Sequence, residues 1–338
     1  MTTLDTRAAN AELDTYPIEF DFPDIRPYAG GNAGIPYAYT FDSGKPGKHT
    51  MITALTHGNE VSGAVAVKAM LDAGLRPRHG RLTLAFGNVE AYHRFDPARP
   101  DASRFIDQDM NRVWHAATLD DVTLDSSELR RARALRPLVD SVDCLLDLHS
   151  MHERSAPLTV CGPLDKGIKM ALDLGTPVHI ISDAGHPEGV RLRDYSGFGD
   201  PDSPKNALLI ETGQHWEHGA LAVAKDYCMR FLLLCGNLDA GDVLDGWLQP
   251  LPKQQFVIKV TAPVLASGPD FRFAGQYTGL EKFTEAGSLI GWDQGTPILT
   301  PYADCVLVMP SLRQVRKGVT VVRFGQVYDA SEACWKQA

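Results

Sequence analysis

Between about residues 35 and 235 the chain alternates short apolar runs with stretches of helical period. "HTMITALTHG" has the near-continuous apolar character of a buried strand, and "VSGAVAVKAMLDAG" after it predicts a helix ended by Gly74. "RLTLAFGN", "VDCLLDLHS", "PLTVCG", "PVHIIS" and "NALLIETG" predict further buried strands. "DSSELRRARALRPLVD" opens with Asp125 and Glu128 at capping-box spacing and predicts a helix, as does the mostly apolar "GALAVAKDYCMRFLLLCG". Near-continuous apolar strands alternating with helices predict an α/β domain whose sheet is covered on both faces.

The pattern changes near residue 240. Beyond "LQPLPKQQ" come short β-rich runs punctuated by glycine and proline, such as "FVIKVTAPV", "SLIGWDQG", "DCVLVMP" and "VTVVRFG", with no useful helical period. The expected organisation is therefore an α/β domain over residues 1–248 and a smaller all-β domain over 249–338. Between the α/β strands, residues 182–206 ("SDAGHPEGVRLRDYSGFGDPDSPKN") are rich in Gly, Pro, Asp and Arg and carry no period. A long irregular segment inside a compact domain is usually functional or disordered.

Composition narrows the class of protein without naming its chemistry. The chain has 338 residues, enough for a large core, and a net charge of −9, which offers no overall basic field for nucleic acid or anionic lipid. The polar, acidic N-terminus lacks the apolar core of a secretory signal, and no apolar run approaches the length that spans a bilayer. Six scattered cysteines (Cys144, Cys161, Cys228, Cys235, Cys305, Cys334) form no C-x-x-C pair, as expected of buried, reduced thiols in a cytoplasmic protein.

Candidate chemistry collects where strands end. Ligands of open α/β sheets gather beyond the carboxyl ends of the strands. One predicted strand ends in "THGNE", with His57 and Glu60; another ends in His149, and a third in Glu211. A His-x-x-Glu pair alone is weak. Joined by a distant third ligand, with 88 residues between Glu60 and His149, it has the inventory of a catalytic zinc site: His₂Glu, a water, and one spare carboxylate as base. Asp147 shares the strand face of His149 and is a candidate to support it. His152, His215 and His218 are competing ligands to a set already complete, and Arg191, Arg193 and Tyr195 could close over a substrate.

"THGNE", "RFIDQDMNR", "DLHS" and "IETG", in that order over about residues 45–235, resemble the zinc carboxypeptidase-like superfamily, specifically its succinylglutamate desuccinylase/aspartoacylase branch. The resemblance implies a mixed central sheet flanked by helices, one zinc ion per chain on His57, Glu60 and His149, and Glu211 as general base and later acid. It implies that Asn111 and Arg112 grip the substrate carboxylate and that Arg104 faces the substrate or the developing oxyanion. Asp109 would hold the first ligand histidine. The branch often has Gly-Gly before its Thr-His-Gly-Asn-Glu, whereas this chain has Ala54-Leu55.

The run "AGSLIGWDQGTPILTPYADCVLVMPSLRQVRKG" resembles a barrel-sandwich hybrid fold, but its "VMPS" lacks the lysine of a biotinyl or lipoyl carrier. Such a domain is expected to shield the pocket mouth or to build an oligomer interface. The expected activity is zinc-dependent amide hydrolysis of a small, anionic N-acyl amino acid or related carboxylate. The rivals are a zinc carboxypeptidase and a non-catalytic binding protein that keeps the fold.

Overall fold

Complete burial selects the middle of the sheet. In the computed structural model, which describes residues 16–328, all residues of β2 (His49–Ala54) and β4 (Cys144–Met151) are buried. Their apolar side chains face helices on both sides, as parallel strands require. β3 (Arg81–Phe86), β2, β4 and β7 (Asn206–Gln214) lie side by side and parallel, with β1 (Ala38–Asp42) antiparallel at the outer edge of β3. Beyond β7 come β5 (Leu158–Val160), antiparallel to it, then β6 (His179–Ser182).

Helices cover the two faces unequally. α1 (Ser62–Asp72), α5 (Asp165–Leu174) and α6 (His218–Leu234) share one core with Ile52, Leu146, Leu148 and Leu208. α4 (Ser127–Ser141) packs Leu129, Ala132, Leu135 and Val139 on the other, against Met51, Leu145 and Ala207. The short helices α2 (Val89–His93) and α3 (Ala116–Asp120) flank the connection between β3 and α4. No helix among the described residues is long and apolar enough to cross a membrane.

The predicted strands and helices of the α/β region are present. α5 was not foreseen, although Ile168, Ala171 and Leu174 recur at helical spacing on its buried face and Gly175 closes it at φ 81°. The start of α4 also differs: its cap is Ser126, which accepts from Leu129 N at 3.0 Å, not Asp125. Glu128, read as a capping-box partner, is fully buried and serves a different loop.

The β-rich C-terminal part joins the same sheet. β8 (Phe256–Leu265) pairs parallel with β6 and antiparallel with β14 (Thr320–Tyr328), followed by β13 (Cys305–Val308) and β10 (Lys282–Phe283), so one sheet holds 11 strands. β9 (Phe271–Phe273), β11 (Leu289–Asp293) and β12 (Thr296–Leu299) form a separate three-stranded antiparallel sheet. The fold is thus a mixed central sheet flanked by helices with a smaller antiparallel sheet at the C-terminal end. Cys144, Cys161, Cys228, Cys235 and Cys305 are buried free thiols, while Cys334 and the first 15 residues lie outside the described residues.

Candidate metal and active site

Parallel register brings the strand-end residues together. His149 on β4 stands opposite Glu211 on β7, and Ala54 at the end of β2 stands opposite Leu148. Just past β2 the chain turns at Leu55, whose φ is 61°. A β-carbon in this left-handed region costs roughly 1–2 kcal/mol. Leu55 is fully buried, and burial of a leucine side chain, about 2 kcal/mol, offsets that cost. Gly58 has a different reason: a β-carbon there would sit 2.4 Å from Ser103 O, against the loop that carries Arg104.

His57, Glu60 and His149 converge. One ligand atom from each lies within 4.8 Å of the other two, and all three residues are buried. His57 Nδ1 is 2.7 Å from Glu60 Oε1, and His149 Nδ1 is 2.8 Å from Glu60 Oε2. The far ring nitrogens are held by carboxylates: His57 Nε2 is 2.8 Å from Asp109 Oδ1, and His149 Nε2 is 2.8 Å from Asp147 Oδ2. Donation of Nε2–H to these acceptors leaves the Nδ1 lone pairs turned inward, as metal-bound imidazoles require. Asp147 is itself fixed by Thr56 Oγ1 at 2.8 Å.

The electrostatics favour a cation at the centre. Burial pushes the Glu60 carboxyl up, but the adjoining His57 and His149 outweigh it and hold it well below its ordinary range. Burial pushes His149 down, yet Asp147 and Glu60 raise it well above its ordinary range. The place a proton takes between these groups is the place a bound metal takes instead.

Glu211 faces the same chamber without a partner. Its Oε2 is buried and makes no hydrogen bond, and burial, with the Glu60 charge adding to it, raises the carboxyl to about 8. A buried carboxylate without hydrogen bonds is costly. Here a water or substrate group would satisfy it. The donor set, the carboxylate-held imidazoles and this orphaned oxygen all fit zinc.

The loop 104–112 borders the triad. Arg104 donates from Nη1 to Glu60 Oε1 at 2.8 Å and reaches Asp109 Oδ2 at 3.5 Å, so it lies against the candidate ligands. Asn111 Oδ1 accepts from Leu192 N at 2.9 Å, tying this loop to the 182–206 segment. Arg112 donates to Asn111 O at 2.9 Å, while its Nε is buried without a partner. Glu128 carries the loop from beneath: its carboxylate accepts from Asn88 Nδ2 and from the amides of Ile106, Asp107 and Gln108 at 2.7–3.2 Å.

Segment 182–206 folds into two 3₁₀ turns, and only one of its three candidate residues reaches the chamber. Arg191 lines the cavity while paired with Asp183 at 3.0 Å and with Asp194. Arg193 is buried against Ala207 O, and Tyr195 bonds Asp140 and Arg136 on the far side. His152 borders the chamber, its Nδ1 3.1 Å from His215 Nε2. His215 Nδ1 in turn meets Ser150 Oγ at 2.8 Å, and His218 lies at the start of α6 beside Phe20.

His186 and the individual C-terminal residues of the chamber were not foreseen, although the C-terminal strands were expected to shield the pocket mouth or to build an oligomer interface. Thr278, Met309, Ser311 and Arg323 line the triad's cavity of about 140 Å³, which shares Arg104, Arg112, His152, His186 and Ser311 with a neighbouring one of about 500 Å³. The available signal was Arg323 itself, a charge at an inward position of the apolar run "VTVVRFG".

The description "Succinylglutamate desuccinylase/Aspartoacylase catalytic domain" matches residues 46–214, half of the chain and all of the triad and Glu211. The chain belongs to the succinylglutamate desuccinylase/aspartoacylase family. Among solved structures, a succinylglutamate desuccinylase/aspartoacylase from Rhodobacter sphaeroides shares 17% identity over 87% of this chain and 89% of that one, with a TM-score of 0.61. A succinylglutamate desuccinylase from Vibrio cholerae shares 16% over 84% and 82%, with a TM-score of 0.59. The product-bound ectoine utilization protein EutE (DoeB) from Ruegeria pomeroyi shares 16% over 83% and 86%, with a TM-score of 0.56. At such identities these likenesses show the fold, and they extend past the matched family segment into the C-terminal strands. No curated protein sequence matches. The family takes its name from two deacylases, and its catalytic domain here includes the whole candidate triad.

Proposed function

We propose that this protein is a zinc-dependent deacylase, hydrolysing the amide of an N-acyl amino acid or related small carboxylate. The carrying observation is the convergence of His57, Glu60 and His149 beside the unpartnered Glu211 carboxylate, in a chamber edged by Arg112. His57 Nδ1, Glu60 and His149 Nδ1 would hold the zinc. Zinc there supplies Lewis acidity to a water and to the scissile carbonyl. Asp109 and Asp147 keep both imidazoles in the metal-binding tautomer.

Glu211 takes one proton from the attacking water and delivers it to the leaving nitrogen as the C–N bond breaks; the second water proton passes to the freed amine, so amide plus water becomes carboxylate plus ammonium. Arg112 and Asn111 orient the substrate carboxylate. Arg112 brings a planar fork of donors, each charge-assisted hydrogen bond worth roughly 1.5–3 kcal/mol. Arg104, held by Glu60 and Asp109, places positive charge at the chamber edge, where an oxyanion develops.

The test is incubation with a panel of N-acyl amino acids and dipeptides, with and without chelator, reading products by mass. Chelator-sensitive loss of an acyl group is expected. Cleavage of dipeptides alone would replace this reading with a carboxypeptidase, and hydrolysis unchanged by chelator would remove the metal from it.

A further inference from the structure

Beside Glu211 one side of the chamber bears no charge. Leu209 lies two residues before Glu211 on β7, so both side chains leave the same face of the sheet. Val160 on β5 stands directly opposite Leu209 and shares that face. Met151 on β4 is a third apolar side chain, and all three are buried. The fourth is Met309, which follows β13 with its backbone in the left-handed region at φ 48°. A residue with a β-carbon keeps that conformation only where its surroundings hold it. Here the surroundings are the cluster of Leu209, Val160 and Met151 with Ile181, Ile258 and Val308, on which Met309 packs. All four side chains line the triad's cavity.

The carboxylate clamp fixes which part of a substrate meets this surface. Arg104, Arg191 and Arg323 each face a carboxylate of the protein, at 2.8, 3.0 and 3.4 Å. Arg112 is 3.9 Å from Asp109 and its Nε is buried without a partner, which leaves it for one substrate carboxylate. Asn111 lines the triad's cavity of about 140 Å³ and not the neighbouring one of about 500 Å³, and the same holds for Met151, Val160, Leu209 and Met309. An amino acid carries its carboxylate and its side chain on one carbon. A carboxylate held at Asn111 and Arg112 therefore confines the side chain to the smaller cavity. Each methylene seated on apolar groups there gains about fourfold in affinity, whereas a charged group set against them loses its hydration without gaining a partner.

Resting on the deacylase reading above, we propose that Leu209, Val160, Met151 and Met309 form a specificity pocket for an aliphatic amino-acid side chain. The preferred substrate is then an N-acyl aliphatic amino acid with a single carboxylate, held at Asn111 and Arg112. Its acyl chain, on the other side of the amide, is directed past Arg104 toward the neighbouring cavity, whose lining includes none of the four apolar residues.

The test compares N-acetylglycine, N-acetylnorvaline, N-acetylglutamate and N-valerylglycine. Wild type should show kcat/KM on N-acetylnorvaline about 20-fold or more above N-acetylglycine, and above N-acetylglutamate as well. Val160→Thr keeps the shape of valine and puts a hydroxyl in place of a methyl. It should remove about 5-fold or more of the norvaline advantage and change N-acetylglycine by less than about 2-fold. Leu209→Ala is the second variant, and it should move the best side chain from three carbons to about five. Preference for N-acetylglutamate, equal loss on glycine and norvaline substrates in Val160→Thr, or a gain from the valeryl chain in place of the norvaline side chain overturns the proposal and leaves the deacylase reading intact. Calorimetric titration with the free amino acids is independent of turnover: norvaline should bind wild type about 10-fold or more tighter than glycine. Equal affinities overturn the proposal even if nothing on the panel is hydrolysed. Tighter norvaline binding without any hydrolysis supports the pocket and sinks only the deacylase reading.

Discussion

Burial without a partner gives Glu211 a proton affinity unlike that of a surface carboxylate. In the metal-free protein the folded chain keeps that proton up to about pH 8, whereas the unfolded chain releases it near the ordinary carboxyl value of 4.5. Between those values the folded state binds the more protons, so stability is full below the window and falls as pH rises through it. Glu211→Gln removes this titration. Metal-free wild type should therefore lose thermal midpoint relative to the metal-free variant between about pH 5 and about pH 8; parallel midpoints would show the carboxyl already ionised in the folded chain. Such environments are legible in sequence only in part. His57, Glu60, His149 and Glu211 could be read because each follows an apolar strand, and Asp147 because strand alternation sets it on the face of His149. Arg323 showed only as a charge inside an apolar run, and His186 not at all, since its place beside Arg323 comes from contact across 137 residues of chain.

At the scale of elements, the loop 104–112 depends on one buried carboxylate. Glu128 accepts from Asn88 and from three successive amides, Ile106 to Gln108, which positions Arg104, Asn111 and Arg112 together. Glu128→Ala leaves those donors unsatisfied and should destabilise the fold by about 3 kcal/mol, while raising KM through the loosened clamp. Denaturant unfolding and steady-state kinetics check both, and a loss below about 1 kcal/mol would mean other contacts hold the loop. The helix bearing Glu128 was predictable from its period; the partner of that side chain was not, because its spacing to Asp125 imitates a local cap. Segment 182–206 shows the same limit. Its irregular composition marks it as special, but the pairing of Arg191 with Asp183 and of Asn111 with Leu192 depends on how two loops meet.

The whole molecule is organised by one sheet. Composition changes sharply near residue 240, which reads as a second unit, yet backbone pairing carries the sheet from β6 through β8 into β14 and β13. Strand pairing of this kind depends on edge availability and register, neither of which a composition shift encodes. Its consequence is functional: the C-terminal strands place Arg323, Met309 and Ser311 over the triad, so the chamber is finished by residues far from the hydrolytic motifs. Everything proposed for that chamber depends on a metal held by His57, Glu60 and His149 and a proton carried by Glu211. The most direct test measures zinc content and turnover together in wild type and Glu211→Gln, on the best N-acyl amino acid found. The account predicts one zinc per chain in both and a kcat lower by about 10³-fold in the variant. A zinc-loaded variant turning over within about 10-fold of wild type, or a wild type fully active after its metal is stripped, would contradict it.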